Sequence, residues 1–157
     1  MPDRKKRIAI SDKHRFNHSC KQVFELLCPV KEDEWLPGWR EQKKMVYTES
    51  GFAELGCVFV TKTWPNLMGP AVWVNNVYMP FEKIRYTAIS KHIVYQIECD
   101  LKSVSSGCEA VAGRTWTALS SEAEEFLIKM EREGQRRHPS LFELIDHYLK
   151  TKKMLSP

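Results

Sequence analysis

The chain has 157 residues and a mass of 18.4 kDa, which points to one domain over residues 1–157, long enough to bury roughly 70% of its unfolded surface. With 43% hydrophobic and 28% charged residues, a disordered or collagen-like chain is excluded. The net charge of +4 is concentrated at Arg4–Arg7, Arg136–His138 and Lys150–Lys153, too small and too dispersed to imply nucleic acid.

The longest apolar runs, Cys57–Val60 and Ala71–Val74, are four residues, against the roughly 20 of a membrane span. The basic stretch DRKKR at Asp3–Arg7 is not followed by an apolar segment, so no secretory signal is expected and the chain reads as soluble and cytoplasmic. In that setting Cys20, Cys28, Cys57, Cys99 and Cys108, an odd set without CxxC spacing, read as reduced thiols, several of them in the core.

Residues 5–16, KKRIAISDKHRF, form a polar, loosely alternating opening edge strand. Ser19 then caps a short helix whose apolar residues are Val23, Phe24, Leu26 and Leu27 and which Pro29 ends. The three acids of KEDEW open a second short helix, suited to the positive end of its dipole, and Pro37-Gly38 stops it before Trp39. From Lys43 to Ser120 the period changes to two. Strands are expected at Lys44–Ser50, Glu54–Thr63, Val72–Met79, Lys83–Ser90, Ile93–Val104 and Cys108–Leu119, with turns at Ser50-Gly51, Asn66 to Pro70, Pro80 and Ser105–Gly107. Short turns between consecutive strands require antiparallel pairing. The clearest alternation sets Ile93, Tyr95, Ile97, Cys99 and Leu101 against Gln96, Glu98 and Asp100. In Cys108–Leu119 both faces are acceptable as the inner one, so the direction of Arg114 stays open.

After Ser120 the spacing becomes helical. Ala123, Phe126, Leu127, Met130, Gly134, Leu141, Leu144, Ile145 and Tyr148 lie on one stripe of a helix of about 28 residues, kinked near Gln135 by Pro139. The expected architecture is α+β: a seven-stranded antiparallel sheet curled around a long C-terminal helix, with two short helices after the first strand closing one end.

This order resembles the helix-grip fold of the START-like, birch-pollen-allergen superfamily (SRPBCC), and within it the polyketide cyclase/lipid-transport-like branch. The resemblance rests on Ser19–Leu27, CPVKEDEWLPGW at Cys28–Trp39, Ser50-Gly51, the Trp73 strand, RTWTALS at Arg114–Ser120 and HYLKTKKML at the end. The sequence departs from the branch at Lys152, where Gly is usual. The resemblance implies a hydrophobic cavity between sheet and terminal helix.

A curved sheet over one helix leaves space that aromatic side chains line. Trp35, Trp39, Phe59, Trp73, Tyr95 and Phe126 are the aromatic candidates for ligand contact, and Trp64, beside the Pro65–Pro70 loop, reads as a surface residue. The helical stripe lacks a large apolar residue between Met130 and Leu141, about 16 Å of helix. Either the helix leaves the sheet there or it faces the cavity. In the second case Met130 and Gly134 border the space, and Arg137 is a candidate anchor for a ligand carboxylate or phosphate. Among the acids, Glu32 is the candidate general acid or base, while Glu54 and Glu98 are simplest as solvent-facing residues. His14, His18 and Cys20 lack a common helical face, so no metal is expected, and the dispersed glycines make no phosphate loop, so no cofactor is expected. The favoured function is binding of a small hydrophobic or amphipathic molecule. The alternatives are a cyclase- or dehydratase-like enzyme using acid–base chemistry in the same cavity, and a co-chaperone-like interaction module.

Overall fold

The structure, a computed structural model, describes residues 4–134 and 139–156. It opens with strand β1, Arg7–Phe16, followed by the short helix α1, Cys20–Glu25. Ser19 starts α1 with a capping box. Its hydroxyl accepts from the Gln22 N–H while the Gln22 side chain accepts from the Ser19 N–H. A single 3-10 turn at Lys31–Glu34 and the four-residue helix α2, Trp39–Gln42, lead into β2, Lys43–Tyr47. The meander continues through β3 (Val58–Thr61), β4 (Ala71–Met79), β5 (Lys83–Ser90), β6 (Ile93–Val104) and β7 (Gly107–Ala118).

The seven strands form one antiparallel sheet in the order β1-β7-β6-β5-β4-β3-β2, so the first strand returns to pair with the last. Bulges between Met45 and Tyr47 and between Asn75 and Val77 add local twist and bend, as unpaired residues in a ladder do. The β6 alternation holds in direction: Ile93, Tyr95, Cys99 and Leu101 are buried and Asp100 is exposed, while Ile97, which faces the sheet's inner space, and Gln96 and Glu98 on the other face are all half-buried. One glycine is fixed by packing. Gly107 has φ +149°, and a Cβ there would overlap the Phe16 carbonyl oxygen on neighbouring β1.

The long terminal helix is in fact two helices, α3 (Ser121–Arg132) and α4 (Leu141–Thr151). Gly134 takes φ +65° just after α3, the left-handed conformation that commonly ends a helix. Ser140 then opens α4 with its own capping box to Glu143. A kinked continuous helix would have lost a backbone hydrogen bond at Pro139. Two separately terminated helices avoid that loss. Lys152 closes α4 with φ +59°, so the position where the resembled branch carries Gly is a left-handed one.

Cys20 and Cys108 form a disulfide, their Cα atoms 5.0 Å apart, whereas Cys28, Cys57 and Cys99 are free and buried. This corrects the reading of all five as reduced thiols. Spacing alone could not show that α1 lies against β7. Disulfides persist mainly in oxidising compartments, so the cysteines no longer argue for the cytoplasm. Among the described residues no helix is long and apolar enough to cross a membrane.

Candidate functional site

The register across the sheet builds the floor of a cavity row by row. One row is largely aromatic: Trp116 on β7 pairs with Tyr95 on β6, Tyr95 with Ala88 on β5, Ala88 with Trp73 on β4, and Trp73 with Phe59 on β3. The next is mixed, running from Arg114 through Ile97 to Tyr86 and Asn75. The third, Asp12-Ala112-Cys99-Ile84, is made of smaller side chains. Small residues at Ala112 and Cys99 leave volume that the flanking aromatics do not fill. The resulting cavity is about 440 Å³, within the range of small-molecule sites.

Leu141, Phe142 and Ile145 of α4 roof it, and one end is closed by Leu27, Glu32, Trp35, Leu36 and Trp39. Three of the indoles are locked by hydrogen bonds, while the buried Trp116 Nε1 has no partner among the described residues. Trp35 Nε1 donates to the Leu26 carbonyl, Trp39 Nε1 to the Pro29 carbonyl and Trp73 Nε1 to Thr61 Oγ1, each at 2.9 Å. Trp39 also meets Trp64 edge-on at a centroid distance of 4.8 Å. Trp64 therefore belongs to the cavity wall, not to the outer surface. The β3–β4 loop folds back over Trp39 and buries one side of the ring.

Of the residues proposed from sequence, Trp35, Trp39, Phe59, Trp73 and Tyr95 line this cavity, and so does Glu32. Phe126, Met130 and Gly134 do not. Phe126 and Met130 pack on the core from α3, and Gly134 is a helix stop with nothing within 4 Å of an added Cβ. The physical reason is the helix break, which hands the cavity roof to α4. Arg137 lies outside the described residues. Among the described residues the cationic group lining the cavity is Arg114, whose side chain is 12% exposed. Its Nη2 donates to Asp12 Oδ2 at 3.1 Å, and its guanidinium lies 5.5 Å from the Trp116 ring centroid. Asp12 comes from the inner face of β1, Ile8-Ile10-Asp12-His14-Phe16, and its place there was the missed signal. A polar residue at a core-facing register looks like a fault in the alternation.

The three acids of the 3-10 turn separate by environment. Asp33 pairs with Lys43 at 2.9 Å, and Lys43, only 7% exposed, also donates to the Pro29 carbonyl. Glu34 accepts from the Tyr148 hydroxyl at 2.7 Å, tying α4 to the turn. Glu32 lines the cavity and is half-buried. Burial pushes its carboxyl up to about 8. Lys43 opposes the rise, since a cation favours the carboxylate, and Asp33 reinforces it. With Lys43 already balanced by Asp33, little charge is left to hold Glu32 ionised. The Tyr86 hydroxyl, donating to the Leu27 carbonyl at 2.8 Å, is also held well above its ordinary value, first by burial and then by Glu32.

Glu54 sits outside the cavity, accepting from Thr48 and from the Glu49 and Ser50 amides. Glu98 pairs with Lys83 and Arg85 on the outer face of the sheet. His14 Nε2 lies 3.7 Å from Asp146 on α4, and no group of three potential metal ligands occurs among the described residues.

No protein-family model matches the sequence, and no curated protein matches it. Solved structures do match the fold. Norcoclaurine synthase from Thalictrum flavum aligns over 94% of this chain and 88% of its own, with a TM-score of 0.67 at 10% identity. Protein MLL2253 from Mesorhizobium loti aligns over 94% of this chain and all of its own, with a TM-score of 0.64 at 14% identity. Ara h 8.0201 aligns over 93% of this chain and 99% of its own, with a TM-score of 0.61 at 11% identity. Each alignment runs over more than nine-tenths of this chain, so the likeness covers the sheet together with its helices. The chain has the helix-grip fold, a seven-stranded antiparallel sheet curled against a C-terminal helix, that these structures share.

Proposed function

We propose that the chain, acting as one domain over residues 1–157, binds a small hydrophobic or amphipathic molecule between the sheet and α4. The observation that carries this is the 440 Å³ cavity walled by locked aromatic rings. An interaction module on the same fold would have that interior filled. Norcoclaurine synthase, with the same fold, has been solved in complex with dopamine and hydroxybenzaldehyde, which supports small aromatic molecules as the class to test.

The experiment is titration with the neutral fluorophore N-phenyl-1-naphthylamine. Saturable one-to-one enhancement is expected, abolished in Ala112→Phe, which places a ring in the cavity from the β7 floor. Absence of saturable binding to the native chain overturns the reading. Undiminished binding to a folded Ala112→Phe does so too, by placing the dye elsewhere.

A second reading, acid–base catalysis on the bound molecule, is favoured by Glu32. A cavity carboxyl that keeps its proton near neutral pH is a general acid in the correct state. Its test is turnover of a bound aromatic aldehyde or ketone, lost in Glu32→Gln while dye binding is retained.

A further inference from the structure

The inner face of a sheet is a costly place for charge, and here Arg114 and Asp12 occupy it together. Their strands are adjacent and the residues stand diagonally in the register, Ile10 opposite Arg114 and Asp12 opposite Ala112. Both line the cavity, with side chains 12% and 23% exposed and a contact of 3.1 Å. A guanidinium carries five N–H donors, and the hydrogen bond to Asp12 occupies one of them. Arg114 therefore offers donors to a cavity occupant while its positive charge is already balanced.

The other described charged groups in and behind the cavity wall are balanced in the same way. Lys43 is neutralised by Asp33 behind the wall, and Glu32 holds its proton near neutral pH. Tyr86, next to Glu32, stands two strands from Arg114 in the same row, with Ile97 between them. That spacing is about 10 Å, roughly the length of a two-ring aromatic molecule.

We propose that the Arg114–Asp12 pair is the specificity device of the cavity, selecting an uncharged aromatic ligand that bears an oxygen acceptor (a phenol, ketone or quinone) and rejecting the carboxylate of the same shape. This rests on the cavity-binding reading and sharpens it. The oxygen accepts from Arg114. An anionic oxygen there would meet Asp12 as well, and among the described residues that line the cavity no second cation offsets the repulsion and desolvation it suffers. Asp12 acts through Arg114 and is a positioning residue.

The test compares three probes of nearly equal shape, 2-methylnaphthalene, 2-naphthol and 2-naphthoate, by displacement of N-phenyl-1-naphthylamine at pH 6.5. The native chain should bind 2-naphthol about tenfold tighter than either of the others, since a site built to hydrogen-bond discriminates against the analogue that cannot. Asp12→Asn leaves Arg114 with an unbalanced charge and should move the preference toward 2-naphthoate. The double variant Asp12→Leu/Arg114→Met replaces the pair with apolar groups, an exchange that buried ion pairs often tolerate. It should bind 2-methylnaphthalene and 2-naphthol alike. If the native chain binds 2-naphthoate as tightly as 2-naphthol, the charge-selection proposal is wrong. If the double variant still prefers 2-naphthol, the oxygen is held elsewhere and the proposal is wrong. Either failure leaves cavity binding intact provided Ala112→Phe abolishes it. Failure of all three probes and of the dye overturns the binding reading itself.

Discussion

Replacing Glu32 by Gln should stabilise the protein at neutral pH, and the size of the gain follows from proton linkage. In the folded chain Glu32 keeps its proton up to about pH 8, and in the unfolded chain it releases it near 4.5. Between those values the folded state binds more protons than the unfolded state, so stability falls as pH rises through the window. The interval from pH 4.5 to pH 7, at about 1.36 kcal/mol per pH unit, is worth about 3 kcal/mol. Gln has the same shape and no proton to lose. Glu32→Gln should therefore match the native chain at pH 4.5, exceed it by about 2–3 kcal/mol at pH 7, and exceed it further at pH 9. The smaller end of that range allows for water in the cavity reaching the carboxyl. Urea unfolding of both proteins at the three pH values measures the difference directly, and the other titrating groups cancel in the comparison. Parallel pH profiles, or a variant less stable at pH 7, would refute the argument and return Glu32 to the status of an ordinary solvated carboxylate.

Two backbone positions give further expectations. Gly107→Ala should cost about 3 kcal/mol in urea unfolding, because the methyl group meets the Phe16 carbonyl oxygen as well as a strained φ. Gly51→Ala, at φ +84° with open space around it, should cost only about 1 kcal/mol; equal losses would show that contact with β1 is not what fixes Gly107. Lys152→Gly should raise stability by about 1 kcal/mol by relieving the left-handed conformation at the end of α4. A loss instead would show that the Lys152 ammonium over the Tyr148 ring, at 5.9 Å, outweighs the backbone strain.

Much of the fold was legible because its signals are local. The β6 alternation, the Ser19 cap and the turns at Ser50-Gly51 and Ser105–Gly107 each depend on a few neighbouring residues, and each stands as read. The boundary between α3 and α4 was equally local and was passed over. Gly134 stops one helix and the Ser140-to-Glu143 box starts the next, but an apolar stripe that stays in phase across the break hid both. Reading Gly134 as a gap in a continuous helix put Met130 and Gly134 at the cavity, when the roof belongs to Leu141, Phe142 and Ile145. The disulfide is different in kind. Cys20 and Cys108 are 88 positions apart, and nothing near either one announces the other.

The polar lining of the cavity escaped pattern reading for a reason that bears on what the cavity does. Periodicity finds the faces of strands by their consistency, so a charged residue on an inner face lowers the signal of its own strand. Asp12 made β1 look like a polar edge, and Arg114 left the two faces of β7 indistinguishable. Glu32 stood out only because it sits in a turn, where no alternation competes. All three line the same space, alongside Ser140. Chance misplacement would scatter such residues over the sheet, each carrying the cost of an uncompensated buried charge. Their convergence on one cavity, with Arg114 and Asp12 compensating each other and Glu32 compensated by its proton, is the pattern expected where foldability has been traded for recognition. On the proposed binding reading, the aromatic rows admit many flat molecules and the balanced polar groups restrict which of them fit.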